Sequence, residues 1–287
     1  MTQLLLEPLS HPFMVDAMIL ASLIGVICAM LSCFLILKGW SLMGDAVSHA
    51  VFPGIVIAYI VGLPLALGAF LAGFLCAGAT GWIKANSRIK EDAVMGIVFT
   101  GMFALGLVLF TKINTDLHLN HILTGNLLGI ESGTRIQAMI VAGVVLVVLV
   151  LKERDLLLYC FDANHARSIG LPVTLLYYLL LAILAATIVA SLQAVGIILT
   201  IAMLIIPGST AYLLTDRFRW MMFYAITSAV LSCVLGVYFS YFLDGSSGAL
   251  IVLFQTAFFL LAMLFGPKFG IVWGQGLLKA QTLAAAP

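Results

Sequence analysis

Of the 287 residues, 63% are hydrophobic and only 9% are charged, with a formal net charge of +1. A soluble domain carries about a quarter charged residues, so this chain cannot cover a water-facing surface and needs a bilayer as its solvent. That excludes an ordinary cytosolic enzyme, a secreted disulfide scaffold and a disordered tail, and the near-neutral balance gives no reason to expect a nucleic-acid partner.

The cysteines are Cys28, Cys33, Cys76, Cys160 and Cys233, with no C-x-x-C pair among them. Four lie inside apolar runs, where the thiol side chain acts as a small hydrophobe. Neither a disulfide framework nor a cysteine metal site is expected. The first positive charge is Lys38. The basic start of a cleavable signal peptide is therefore missing, and none is expected.

A spanning helix needs about 20 mostly apolar residues. The apolar stretches run Met14–Leu37, Ala46–Gly62, Leu65–Lys84, Ala93–Thr111, Ile136–Leu151, Val173–Ala190, Ala194–Leu214, Trp220–Leu243 and Ala249–Phe265. The breaks are polar or glycine-rich, as in LKGWSLMGD, KANSRIKED, LKERD, TDRFRW, DGSSG and GPKFG. Two breaks, Gly62–Pro64 and Ser191–Gln193, are so short that their flanking helices are expected to form hairpins. The expected fold is all-α: one polytopic membrane helix bundle of eight or nine transmembrane helices over residues 1–287, eight if one stretch is re-entrant.

Basic residues collect on the cytoplasmic side of a membrane protein. With the N-terminus outside, the inner loops and tail hold Lys38, Lys84, Arg88, Lys90, Lys152, Arg154, Arg167, Arg217, Arg219, Lys268 and Lys279, against Lys112 and Arg135 outside. That asymmetry predicts N-terminus out and, with nine spans, C-terminus in.

The second stretch opens GDAVSHAVFPG (44–54). Asp45 and His49 are four apart and share a helix face. A charged residue at the bilayer centre costs about 2.5–3.5 kcal/mol, so the acid should face the bundle interior. Pro53 has no N–H, which frees the carbonyl of His49. A carboxylate, an imidazole and a carbonyl within one turn are oxygen and nitrogen ligands for a divalent transition metal. The alternative is that Asp45 caps the helix and His49 bonds to a neighbour.

The fourth stretch opens Lys90-Glu91-Asp92, on the same predicted side. Acids at a helix N-terminus are favoured by the macrodipole. Glu91 could turn inward as a second carboxylate, with Asp92 the weaker metal candidate and more readily the cap, and Met95 as packing. The outer loop carries Asp116, His118 and His121 in D-x-H-x-x-H spacing, which suits either an ion at the pore mouth or a water-facing segment. His11 and His165 lie in polar flanks and are given no role beyond solvation. Pro207, in the seventh stretch, frees the carbonyl of Met203; a kink along a pathway and ordinary packing both fit.

The inner loop reads CFDANHARSIGLP (160–172). Asp162 is suited to N-capping, Gly170 to the position after a helix and Pro172 to a stop beyond it. These signals predict a helix of about two turns over 162–170, too short to span a membrane. It lies parallel to the inner face, either as a docking element or as a plain surface helix. Absent motifs narrow the chemistry. There is no G-x-x-x-x-G-K-[ST] for ATP, no H-E-x-x-H for a zinc protease, and no arginine series for a voltage sensor.

Taken together, these residues resemble the permease subunits of ATP-binding-cassette importers for manganese, zinc or iron, the family served by a cluster-type binding protein. The resembling motifs are LKGWSLMGDAVSHAVFPG (37–54), SRIKEDAVMGIVF (87–99), HILTGNLLGI (121–130), FDANHARSIGLP (161–172) and AVGIILTIAMLIIPGSTAYLLTDR (194–217), so coverage is nearly end to end. The first two are most similar to the manganese/iron branch of Gram-negative bacteria. More distant relatives in this type of fold move cobalamin and iron chelates, and this chain is shorter at its N-terminus than they usually are, consistent with one helix fewer and an outside N-terminus.

The resemblance implies a multi-pass protein of the bacterial inner membrane, working as a homodimer with the pathway at the dimer interface. Two cytoplasmic subunits would bind ATP, and a periplasmic protein would deliver the metal. Asp45, His49 and Glu91 match the family's pathway positions. Segment 162–170, with Asp162, Ala166, Arg167 and Gly170, matches its coupling helix. The cargo would be Mn²⁺ or Fe²⁺, with a Zn²⁺ permease as the alternative, and no metal would be kept as a cofactor. Because Zn²⁺ binds such ligands more tightly than Mn²⁺, selectivity would come from geometry and the delivery protein. A proton-coupled metal carrier using Asp45 and His49 as a relay is the rival class, but it has no use for a docking helix. A membrane enzyme would need a nucleophile, base and oxyanion donors together, and the sequence shows no such trio.

Overall fold

The computed structural model describes residues 7–8, 10–112, 127, 129–130 and 132–266. Ten helices follow in chain order: α1 Pro12–Lys38, α2 Met43–Val61, α3 Leu65–Asn86, α4 Glu91–Phe110, α5 Ser132–Phe161, α6 Ala163–Ser168, α7 Val173–Val195, α8 Ile197–Leu214, α9 Phe218–Leu243 and α10 Ser247–Phe265. Among the described residues, all but α6 are long and apolar enough to cross a membrane, which gives nine candidate spans. The protein is an all-α, multi-pass membrane protein.

The chain divides into two compact units. One holds α1 to Ile36, α8 from Ala202, α9 and α10. Between Ala17 and Leu37 helix α1 carries no charged residue and is mostly buried, as a helix surrounded by others must be. Small residues let helices approach closely in lipid. Gly25 leaves room for the Cys233 sulfur, and the Cys233 thiol donates to the Ala21 carbonyl at 3.3 Å. Ala29, Cys33, Ala211, Met221, Ala225 and Ala229 form the adjoining core. All five cysteines are buried and none is in a disulfide, as the sequence led us to expect.

The other unit holds α2 to α7. Helix α2 is gripped by two neighbours. Gly54 and Gly68 meet backbone to backbone, and a side chain on either would collide with the other's carbonyl. Gly106 of α4 sits against Pro53, where a Cβ would lie 2.9 Å from the proline nitrogen. The predicted α2–α3 hairpin is present. Gly62 takes φ +77, its N–H bonds to the Tyr59 carbonyl at 3.4 Å, and Leu63 N–H reaches back to Ala58 at 2.9 Å. This pattern stops α2, and Pro64 starts α3.

Two sequence expectations are corrected. No hairpin break falls at Ser191–Gln193, because α7 runs through to Val195 and ends at Gly196. The Thr187 hydroxyl donates to Ile183 at 2.7 Å and that of Ser191 to Thr187 at 2.6 Å, so the helix satisfies its own polar side chains. The LKERD run is not a break either, since α5 continues to Phe161. Lysine, glutamate and arginine are good helix formers, and Lys152 pairs with Asp155 at 2.9 Å. The helix therefore carries α6 beyond the apolar segment.

Candidate metal pathway and docking helix

Asp45 lies in the first turn of α2 and His49 one turn later. The His49 Nε2 stands 3.4 Å from Asp45 Oδ1. Around the pair, Ala46, Val47, Ser48 and Ala50 are buried, and the Ser48 hydroxyl is spent on the Gly44 carbonyl at 2.7 Å. The two ligand-type side chains remain 39% and 35% exposed. They thus form the open polar spot on an otherwise buried stretch of helix. The capping alternative for Asp45 fails, because the N-cap position is Leu42 and no side chain caps there.

Phenylalanines of α4 set the far wall. The His49 ring lies 6.2 Å from Phe99 in a stacked pose and 5.6 Å from Phe103 edge-on. Phe52 continues the column to Phe103 and Phe110. The Gly106–Pro53 contact holds α4 close enough for this wall to form. None of these phenylalanines stood out in the sequence, because their spacing is that of ordinary core packing.

Glu91 is the first residue of α4, on the backbone, and Met95 one turn on is buried. Asp92 is exposed and is not the cap, contrary to expectation: the extended N-cap residue is Lys90, so Asp92 is already helical. It still sits where the helix dipole favours an anion. Asp116, His118 and His121 lie outside the described residues. Among the described residues, no three His, Cys, Asp or Glu side chains converge. The Asp45–His49 pair offers two ligands, and a metal would take its others from elsewhere. Pro207 sits inside α8, and the segment around it is packed. Ser32 of α1 donates to the Ile205 carbonyl at 3.3 Å and accepts from Gly208 N–H at 3.2 Å.

The short helix is present as Ala163–Ser168. Asp162 Oδ1 accepts from the N–H groups of Asn164 at 2.9 Å and His165 at 3.0 Å. At the other end Gly170 takes φ +84, with Gly170 N–H on Arg167 and Leu171 N–H on Ala166. Ala166 is fully buried, so it seats α6 on the bundle rather than facing outward. Asp162 and Arg167 are exposed. Phe161 at 81% and Ile169 at 57% exposure flank the helix as two outward apolar side chains that the motif alone did not mark.

The backbone N–H of His165, helped by that of Asn164, holds the Asp162 carboxyl below its usual range. Because the folded value is the lower one, the cap contributes fully above the unfolded pKa of about 3.9 and is lost only as pH falls through the folded value. Amide exchange at Asn164 and His165, corrected for intrinsic rate, should therefore stay constant from pH 5 to 8. Asp162→Ala should speed it across that whole range. A cap lost between pH 5 and 8 in the unaltered protein would contradict this assignment.

Residues 10–266 match the ABC 3 transport family. The chain is 54% identical over 268 residues to the manganese transport system membrane protein MntB of Synechocystis sp., covering 93% of this chain and 88% of that protein. It is 56% identical over 262 residues to the chelated iron transport system membrane protein YfeD of Yersinia pestis, covering 91% and 88%. Its fold is similar to that of PsaBC from Streptococcus pneumoniae, solved in complex with Fab, with TM-score 0.84, 35% identity, and coverage of 98% of this chain and 100% of that one. The family match begins before α1 and ends after α10, so it takes in all the candidate spans among the described residues, and the chain belongs to the ABC 3 transport family.

Proposed function

We propose that this membrane permease of an ABC metal importer carries manganese and iron inward as a homodimer in the bacterial inner membrane. The N-terminus lies outside, two ATP-binding subunits dock on the α6 side, and a periplasmic protein delivers the ion. ATP is hydrolysed on those partner subunits, and this chain supplies the path.

The observation that carries the reading is the half-exposed Asp45–His49 pair. An acid on a spanning helix is costly against lipid, so its open side belongs against water or protein. A two-fold copy would bring a second carboxylate and imidazole to the same place, completing a four-ligand set with Glu91 in reserve. Carboxylate and imidazole bind Mn²⁺, Fe²⁺ and Zn²⁺ without the thiolate that favours softer ions. The pair is spare enough to release its cargo. The relatives' transport of manganese and chelated iron supports the choice of metal.

Helix α6 supports the ATP-driven reading over the proton-coupled one. It is capped at both ends, seated by Ala166 and flanked by exposed Phe161 and Ile169. Vesicles holding the chain with its ATPase should take up Mn²⁺ only with ATP. Gly170→Leu, which puts a side chain at φ +84, should leave ATP hydrolysis running while uptake falls by about tenfold or more, since a helix-stop strain of this kind costs about 1–2 kcal/mol. Full uptake by vesicles lacking the ATPase, driven by a proton gradient, would overturn the reading.

A further inference from the structure

A cavity of about 650 Å³ opens where the ends of α1, α3, α5 and α7 meet beside the start of α6. Among the described residues that line it are Lys38, Lys84, Trp40, Trp82, Tyr159 and Tyr177, and none of the lining residues is acidic. The Lys38 ammonium lies 4.1 Å from the Tyr159 ring centre and 6.0 Å from that of Trp40. Trp40 is buried and meets Tyr177 edge-on at 5.6 Å, so this wall is rigid. Lys38 and Lys84 both line this cavity. The Tyr177 hydroxyl is buried and has no hydrogen-bond acceptor among the described residues. Two cations in one aromatic cavity with no acidic lining residue suit a phosphate-bearing anion.

The surroundings say which anion. Leu71, Leu75, Gly78 and Trp82 recur along one face of α3. Leu71 is 48%, Leu75 63% and Trp82 70% exposed, and a Cβ on Gly78 would meet open space. This is an apolar track leading out of the cavity along the spanning helix. Tryptophan, tyrosine and lysine at the helix ends mark the headgroup level of a bilayer. A free phosphate has no use for such a track, whereas an acyl chain fits it.

We propose that this cavity binds an anionic phospholipid, its headgroup phosphate between Lys38 and Lys84 and an acyl chain along Leu75 and Leu71. The site is separate from Asp45 and His49, so its failure would leave the transport reading untouched. Basic pockets between spanning helices bind anionic headgroups, with each lysine near the surface contributing about fivefold.

The test is native mass spectrometry of the full chain, delipidated in detergent and titrated with phosphatidylglycerol or phosphatidylcholine. The unaltered chain should retain phosphatidylglycerol preferentially. The Lys38→Gln, Lys84→Gln double variant should lose on the order of twentyfold in that retention, with phosphatidylcholine unchanged. Gly78→Trp fills the open space without touching either lysine and should block retention as well, which keeps the proposal testable if the double variant fails to fold. Equal retention of the two lipids by the unaltered chain would overturn the proposal. So would unchanged retention in folded variants. Displacement of phosphatidylglycerol by millimolar inorganic phosphate would also overturn it, assigning the cavity to a free anion.

Discussion

Replacing Asp45 or His49 with alanine should lower metal uptake by at least about 100-fold while leaving the protein assembled. Even outer-shell partners of a metal cost tenfold to about 100-fold when removed, and on the proposed path these two are the ligands themselves. The stability side of the prediction separates it from a merely structural role. Asp45 pairs with His49 and caps nothing. Removing a half-exposed carboxylate from a spanning helix relieves a burial cost rather than creating one. His49→Ala gives up its ring contacts with Phe99 and Phe103, worth about 0.5–1.5 kcal/mol each, which a large bundle tolerates. Uptake of radiolabelled or fluorescently reported Mn²⁺ and a thermal-shift measurement on the same preparations check both halves. Normal uptake in either variant would remove that residue from the path, and collapse of the bundle in both would make the pair structural.

Gly54→Leu should have the opposite signature, a loss of the fold. Its Cβ would drive into the Gly68 backbone carbonyl, and the Gly68 side would fare no better in reverse. Backbone cannot swing aside as a long side chain can. Overpacking costs about 1–3 kcal/mol where side chains yield, so the penalty here should be about 3 kcal/mol or more. Helix α2 would be pushed from α3, carrying Asp45 and His49 with it. Gly143→Ala on α5, where a Cβ meets nothing within 4 Å, is the control and should gain up to about 1 kcal/mol of helix propensity. Yield of monodisperse protein and its melting temperature distinguish the two. A Gly54→Leu protein as stable as the unaltered chain would mean that the α2–α3 crossing is not tight.

The spans were readable in the sequence because lipid leaves an apolar helix few alternatives. The two misplaced breaks come from the same physics taken too literally. Ser191–Gln193 and LKERD are polar, but Ser191 bonds back to Thr187 within the helix and LKERD simply extends α5 past the apolar segment. The ends of α6 were legible for a local reason: Asp162 and Gly170 act within their own turn. Asp45 and His49 could be found because ionisable groups are rare on spanning helices. The Phe99–Phe103 wall, the Gly54–Gly68 crossing and the Ser32 bonds around Pro207 could not. Each depends on which residues of two packed helices meet, and nothing in a phenylalanine, glycine or serine among apolar neighbours says what it touches.

The central claim is that the imidazole of His49 binds the passing ion. Electron–nuclear double resonance on Mn²⁺ bound to the purified full chain with its ATPase reads that contact directly. The account predicts a nitrogen coupling in the unaltered protein that disappears in His49→Ala while Asp45 still holds weakly bound Mn²⁺. The same nitrogen coupling in both proteins would contradict it.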